Sequence, residues 1–153
     1  MGKGSRNINW GLLVLRVGVG LLLMVHGFPK LVAGPERWAT LGGAMATVGI
    51  TFAPAFWGLM ATATEFFGGL LLVAGLFTRP VAALACFTMI IATLFVGGNL
   101  MDAGEGGPSL LDLAAAVSHP LTFAIACLSL ALMGAGSFSL TARIAKLNNR
   151  WYG

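Results

Sequence analysis

A long apolar run, residues 52–77, contains a single acidic side chain, Glu65, near its middle. A helix needs about 20 consecutive apolar residues to cross the hydrocarbon core of a bilayer, so this run is long enough to span a membrane. A carboxylate has no long stem with which to reach the headgroups, so Glu65 must be neutral or paired inside the protein. Ionisable residues at such a depth are candidate functional residues by default.

The composition assigns the whole chain to the membrane class. Hydrophobic residues make up 58% of the 153 residues and charged residues only 9%, whereas a soluble domain carries about 25% charged residues. The length accommodates one domain, residues 1–153, and no hydrophilic stretch suggests a second. The net charge of +4 comes without a basic helix or an aromatic-basic patch. The expected partner is therefore the lipid bilayer and not nucleic acid.

The apolar segments predict four membrane-spanning helices. Their approximate extents are residues 10–31, 52–77, 81–96 and 118–136. The fourth is short, and residues 110–117 extend it outward with a bend at Pro120. The first is interrupted by Arg16 and is followed by no small-residue cleavage motif, so we interpret it as an uncleaved span. We expect an all-α, four-helix membrane bundle.

The distribution of lysine and arginine predicts the orientation of this bundle. One side of the four-span topology carries Lys3, Arg6, Arg79, Arg143, Lys146 and Arg150. The other side carries Lys30 and Arg37, together with Glu36, Asp102, Glu105 and Asp112. The positive-inside rule therefore places both termini in the cytoplasm and the two longer loops outside.

Each outer loop contains a signal for the start of a helix. Pro35 suits the first position of a helix, and Trp38 is expected to anchor a short interfacial helix there. In the second outer loop, Ser109 and Asp112 have the spacing of a capping box. We therefore expect a short helix to begin in each outer loop.

Small residues accompany Glu65 along one face of the second span. Ala61, Glu65 and Gly69 follow one another at a spacing of four residues. Patterns of this kind allow transmembrane helices to approach closely. Glu65 is therefore expected to face a neighbouring helix rather than lipid.

The first span offers polar partners for Glu65. Arg16 and Lys30 share one face of that helix, with His26 at its edge. At a rise of about 1.5 Å per residue, His26 is nearest to Glu65 in depth. Arg16 lies about 12 Å lower, within partial reach because its side chain is long. Spacing leaves a Glu65–His26 pair and a Glu65–Arg16 pair both open, and purely structural roles are the alternative.

A buried carboxyl group near an imidazole and a guanidinium has the chemistry needed for quinone binding or proton transfer. A quinone carbonyl needs a hydrogen-bond donor and, on reduction, a proton source, while its tail needs an apolar slot. A neutral Glu can donate, and His can carry protons near neutral pH. The candidate catalytic residues are Glu65, His26 and Arg16, and the candidate quinone-binding residues are these three and Lys30.

The sequence contains no motif for a metal or a nucleotide. Cys86 and Cys127 are isolated in separate apolar runs, without a Cys-x-x-Cys pair, a Rossmann glycine pattern, a P-loop or a haem-attachment motif. The expected cofactor is thus a quinone or quinol, with no metal. The electron donor is expected to belong to a redox partner protein.

The polar positions of the first two spans lie in longer recognisable stretches. RVGVG begins at Arg16, HGFPKL begins at His26, and EFFGGLLLVAGLFTR runs from Glu65 to Arg79. Together these stretches resemble the first-helix and second-helix signatures of the DoxX family.

The C-terminal part of the chain continues this resemblance. HPL from His119 and GAGSFSL from Gly134 are similar to the family's fourth helix and tail, with Thr141 where the family usually has Asp. The resemblance implies a four-helix bacterial inner-membrane protein associated with thiosulfate:quinone oxidoreductase or with respiratory oxidase complexes. It also implies that the polar residues of the family type are Arg16, His26, Lys30 and Glu65.

These observations support three hypotheses about function. The leading one is a redox-associated subunit that binds a quinone, or passes electrons to one, around Glu65. The rival is a non-catalytic scaffold whose outer loops, with Trp38, Asp102 and Glu105, dock a partner redox enzyme. A small proton-coupled carrier fits less well, because inverted repeats and broken helices are not evident. Four short helices enclose little volume, so a homo-oligomer would complete the pocket.

Overall fold

The computed structural model describes residues 3–102 and 107–151, and all regular elements in these ranges are helical. In chain order they are α1 (Lys3–Val32), α2 (Pro35–Gly42), a 3-10 segment (Gly43–Val48), α3 (Pro54–Ala63), a π-helical segment (Thr64–Gly68), α4 (Gly69–Ala74), α5 (Thr78–Asp102), α6 (Leu110–Met133) and α7 (Leu140–Trp151). The predicted all-α class is confirmed.

Four helical stretches are long and apolar enough to cross a membrane, as predicted. They are Gly4–Val32, Pro54–Ala74, Thr78–Asp102 and Leu110–Met133. The fourth begins at Leu110 because the expected capping box is formed, with Ser109 and Asp112 each accepting a hydrogen bond from the other's backbone N–H. Pro120 lies inside this helix.

The bundle has two distinct ends. We call the end that holds α2 and the 3-10 segment the loop end. The opposite end, which we call the turn end, holds the tight turn between α4 and α5, where Gly75 and Phe77 both have positive φ. Residues 134–139 lie at the turn end too, because Ser137 donates its backbone N–H to Asn9 on the first half of α1. The cytoplasmic assignment of the turn end remains the positive-inside prediction.

The core of the bundle is small and lies between α1, α4, α5 and α6. Its fully buried side chains include Leu23, Leu72, Cys127 and Leu130. A second cluster at the loop end joins Ala44 and Met45 of the 3-10 segment to Ile91 of α5. The loop after α1 therefore folds back onto the bundle and forms part of its packed interior.

Glycines bring α1 and the second span into close contact. A Cβ added to Gly27 would lie 2.8 Å from the Cβ of Glu65, and one added to Gly20 would lie 2.6 Å from the carbonyl oxygen of Gly69. Neither position has room for a side chain. The expectation that Glu65 faces a neighbouring helix is confirmed.

The last helix is tied to the turn end at its first turn. Ser139 accepts a hydrogen bond from the backbone N–H of Ala142 and so caps α7. The hydroxyl of Thr141 donates to the carbonyl oxygen of Gly75 at 2.8 Å. Thr141 therefore links α7 to the turn between α4 and α5.

Candidate functional site

The partner of Glu65 is Lys30. The Lys30 ammonium group donates to both carboxylate oxygens of Glu65 at 2.7 Å. The side chain of Glu65 is 7% exposed and that of Lys30 is 30% exposed. The pair therefore joins the end of α1 to the middle of the second span, and its carboxylate is almost completely enclosed.

The two pairs that the sequence left open, Glu65–His26 and Glu65–Arg16, are therefore both wrong. Side chains on a helix lean toward its N-terminus. On the antiparallel α1 and α3, Lys30 therefore leans into the bundle and Glu65 leans toward the loop end, so their charged groups converge. His26 and Arg16 on α1 lean in the same direction as Lys30, away from the Glu65 carboxylate. An estimate of depth from Cα positions does not include the direction of the side chains, so it does not predict that Lys30 and Glu65 meet.

The backbone around Glu65 is a π-helical segment, Thr64–Gly68. Segments of this kind insert an extra residue into a helix and are frequent at functional sites. Thr64, at its start, donates its hydroxyl to the carbonyl oxygen of Met60 at 2.7 Å. The inserted residue rotates the side chains that follow around the helix axis. A projection that assumes a regular α-helix does not anticipate this rotation.

The Lys30–Glu65 pair faces a pocket of about 590 Å³ at the loop end, which we call the loop-end pocket. Its walls come from α2, the 3-10 segment, the second span and α5, and they are mostly apolar. Its lining includes Lys30, Glu65, Leu41, Met45, Phe56, Trp57, Met60, Thr62, Leu84, Phe87, Thr88, Ile91 and Phe95. A charged pair thus lies at the wall of an apolar cavity.

Two further polar groups in this pocket have no partner among the described residues. They are Nε1 of Trp57 and the hydroxyl of Thr62, and both atoms are buried. A threonine in a helix usually donates to the carbonyl four residues earlier, as Thr88 does to Leu84 at 3.1 Å. Leaving a buried polar group without a partner costs about 1–3 kcal/mol. Trp57 and Thr62 therefore have hydrogen-bonding capacity that a bound molecule could satisfy.

Sequence reasoning missed both of these groups. Thr62 stands three residues before Glu65, a spacing that places two side chains on one face of a helix. That spacing was a usable signal. Nothing comparable pointed to Trp57, because its place in the pocket depends on how α2 and the 3-10 segment fold over α3.

His26 lies outside this pocket. Its Nδ1 is 2.8 Å from the carbonyl oxygen of Leu22, and its ring centroid is 5.0 Å from that of His119 on α6. Phe123 packs against both imidazoles. His26 is exposed on the face of α1 toward α6, so the structure does not bring it together with Glu65.

Arg16 lies near the turn end and binds backbone carbonyl groups. Its Nη1 donates to Leu72 at 3.1 Å and to Val73 at 2.8 Å, and its Nη2 donates to the carbonyl oxygen of Phe138. The residue is 2% exposed. Arg16 thus caps the carbonyl end of α4 and holds residues 134–139 against α1, which is a structural task distant from Glu65.

We expect Arg16→Lys to lower the free energy of unfolding by about 1.5 kcal/mol, because one ammonium group cannot reach the carbonyls of both α4 and Phe138. Thermal unfolding in detergent would measure the loss. Hydrogen exchange in residues 134–139 should rise in the same variant. Unchanged exchange there would contradict the role of Arg16 in holding this segment.

Comparison with known proteins identifies relatives of the chain. The DoxX family model matches residues 11–98. "Inner membrane protein YphA" of Escherichia coli (strain K12) is 33% identical over 137 residues, which is 86% of this chain and 89% of that protein. No solved structure matches the chain. The family match includes both members of the Lys30–Glu65 pair and all the residues that line the loop-end pocket.

Proposed function

This chain belongs to the DoxX family of integral inner-membrane proteins, and we propose that it binds the headgroup of a quinone or quinol in the loop-end pocket. In this proposal it serves as the membrane subunit of a quinone-linked oxidoreductase complex. The observation that carries the proposal is an apolar pocket faced by the Lys30–Glu65 pair and by two buried groups, on Trp57 and Thr62, that no described residue hydrogen-bonds.

The polar groups of the pocket suit a ligand with carbonyl or hydroxyl oxygens. The indole N–H of Trp57 only donates, so it suits a carbonyl oxygen, whereas the hydroxyl of Thr62 donates or accepts. Lys30 has three donors and uses two of them on Glu65. The third can bind a headgroup oxygen. A volume of about 590 Å³ lies in the range of pockets for small organic ligands.

The apolar walls of the pocket suit an isoprenoid tail. Phe56, Met60, Leu84 and Phe87 line the pocket and are also exposed on the outer surface of the bundle. In a membrane such exposed apolar side chains face lipid. A headgroup could therefore enter sideways from the bilayer, and its tail could remain in the hydrocarbon region.

The same residues suit proton exchange with the headgroup. Reduction of a quinone to a quinol takes up two electrons and two protons. In our proposal both electrons come from the flavin or metal centre of a partner protein. Both protons come from water at the loop end, and the Lys30–Glu65 pair, whose lysine is 30% exposed, passes them one after the other to the headgroup oxygens. Exposed charged residues at the loop end, Glu36, Arg37 and Asp102, provide a surface on which such a partner could dock. Glu105, which belongs to the same expected surface, lies outside the described residues.

The test is equilibrium binding of a short-tailed quinone to the purified protein in detergent. We expect Thr62→Val to raise the Kd about fivefold, because it removes one hydrogen bond worth about 1 kcal/mol. Glu65→Gln should raise the Kd tenfold or more, since it removes the ionic partner of Lys30. Thr62→Val keeps the side-chain shape and removes a hydroxyl without a partner in the structure, so the fold should be preserved.

Thr88→Val is the matched control. Thr88 lines the same pocket, but its hydroxyl is bonded to Leu84, so its replacement should leave the Kd within twofold. Unchanged binding in both Thr62→Val and Glu65→Gln would reject the quinone site. Such a result would favour the scaffold hypothesis, because that hypothesis requires the outer loops and not the Lys30–Glu65 pair.

A further inference from the structure

A second and larger pocket, of about 820 Å³, lies at the turn end. We call it the turn-end pocket. Its walls are the turn between α4 and α5, the segment before α7 and the inner face of α7. The lining consists of Leu76, Phe77, Thr78, Arg79, Pro80, Gly134, Ala135, Thr141, Ile144 and Ala145. Most of these side chains are apolar. The polar ones are Thr78 and Arg79 on the first turn of α5 and Thr141 on α7, whose hydroxyl is bonded to the carbonyl oxygen of Gly75.

The first turn of α5 has the features of an anion site. A helix N-terminus carries unpaired N–H groups and a partial positive charge, and α5 has no acidic residue in its first turn. Thr78 is only 4% exposed, and its buried hydroxyl has no hydrogen-bond partner among the described residues. Arg79 is exposed beside it. A helix terminus, an unsatisfied hydroxyl and a guanidinium group therefore meet at one wall of the pocket.

Arg79 is available to bind an anion. Among the side chains that the structure describes, those of residues 4–102 and 107–146, Arg79 takes part in no ion pair; the pair found there is Lys30–Glu65. Its Nε lies near the backbone of Gly134, because a Cβ added to that glycine would be 3.1 Å away. The guanidinium group thus lies at the pocket, and no carboxylate of the described residues neutralises it.

The charges around the turn end favour an anionic partner. Arg6, Arg143 and Lys146 are exposed on α1 and α7 at this end. The described acidic residues lie elsewhere, with Glu36, Asp102 and Asp112 at the loop end and Glu65 inside the bundle. The turn end therefore has a positive potential that its own side chains do not cancel.

We propose that the turn-end pocket binds an anionic phospholipid, with its phosphate at Thr78 and Arg79 and an acyl chain along the apolar wall. Guanidinium groups and helix N-termini are common partners of phosphate, and basic pockets between transmembrane helices bind anionic lipid headgroups. A free phosphate ion would leave the wall formed by Leu76, Phe77 and Ile144 uncovered. This site is independent of the proposed quinone site.

The experiment titrates phosphatidylglycerol into delipidated protein in a neutral detergent and follows binding by native mass spectrometry. We expect one tightly bound phosphatidylglycerol and binding of phosphatidylcholine that is at least tenfold weaker. Arg79→Gln should weaken phosphatidylglycerol binding about tenfold, and the isosteric Thr78→Val about fivefold. Arg143→Gln is the matched control, because it removes a positive charge from the same end but Arg143 does not line the pocket. It should change the affinity less than twofold.

Four outcomes would overturn this site. Equal affinity for the two lipids would show that the pocket does not discriminate between an anionic and a zwitterionic headgroup. An equal loss in Arg143→Gln and Arg79→Gln would show diffuse attraction to the whole basic end. Displacement of the lipid by inorganic phosphate at similar concentration would assign the site to a free anion. Unchanged binding in Thr78→Val and Arg79→Gln, with both variants folded, would also reject it.

Discussion

Lys30→Met is expected to lower the free energy of unfolding by about 3 kcal/mol. The substitution leaves the Glu65 carboxylate, which is 7% exposed as a side chain, without its cation. A buried carboxylate in that position must take up a proton or remain as an unpaired charge, and either outcome destabilises the folded state. Reversible unfolding in detergent, monitored by circular dichroism, would measure the loss.

The double variant Lys30→Met/Glu65→Gln is the control for this effect. With both charges removed, no unpaired ion remains, so most of the lost stability should return, to within about 1 kcal/mol of the wild type. If the double variant were as unstable as the sum of the single variants, the two groups would not act as a pair. The Kd of the double variant for a quinone should stay above that of the wild type, although its stability recovers. The two measurements therefore distinguish the contribution of the pair to stability from its proposed role in quinone binding.

Gly58→Ala is expected to cost about 3 kcal/mol, at the upper end of the range for overpacking. A Cβ on Gly58 would overlap the carbonyl oxygen of Trp38 and lie 2.8 Å from its Cα. Both are backbone atoms, which cannot rotate away as a side chain does. Since α2 must separate from α3 to make room, the variant should also enlarge or open the loop-end pocket.

Unfolding in detergent would measure the loss of stability in Gly58→Ala, and quinone binding would report the change in the loop-end pocket. Gly98→Ala is the matched control, because a Cβ on Gly98 in α5 meets no atom within 4 Å. Alanine is favoured over glycine inside a helix by about 1 kcal/mol, so the control should be neutral or slightly stabilising. Wild-type stability in Gly58→Ala would mean that α2 does not pack on α3 as closely as this contact requires.

The local features of the fold were predictable because they depend on short windows of sequence. The four spans follow from apolar length, and the start of α6 follows from Ser109 and Asp112, whose side-chain chemistry acts over a single helical turn. The facing of Glu65 toward α1 followed from its small neighbours at helical spacing. These signals need no knowledge of where other helices lie.

The candidate site was predicted in part. Glu65 and Lys30 are both among the predicted site residues, but the sequence ranks His26 and Arg16 as the partners of Glu65. That ranking used depth alone, whereas the direction in which side chains leave two antiparallel helices brings Lys30 to the carboxylate. Thr62 and Trp57 were absent from the prediction, because an unpartnered hydroxyl or indole cannot be recognised before the packing is known.

The burial of Glu65 follows from local sequence, whereas the identity of its partner depends on long-range packing. A carboxylate in an apolar span of this length must be buried and compensated, and that requirement follows from the cost of charge in lipid. Its compensating cation depends on the π-helical turn at Thr64–Gly68 and on the contact of Gly27 with Glu65. The pocket beside the pair depends on α2 packing against α3 through Gly42 and Gly58. These contacts join residues far apart in the chain, so no periodicity within one span specifies them.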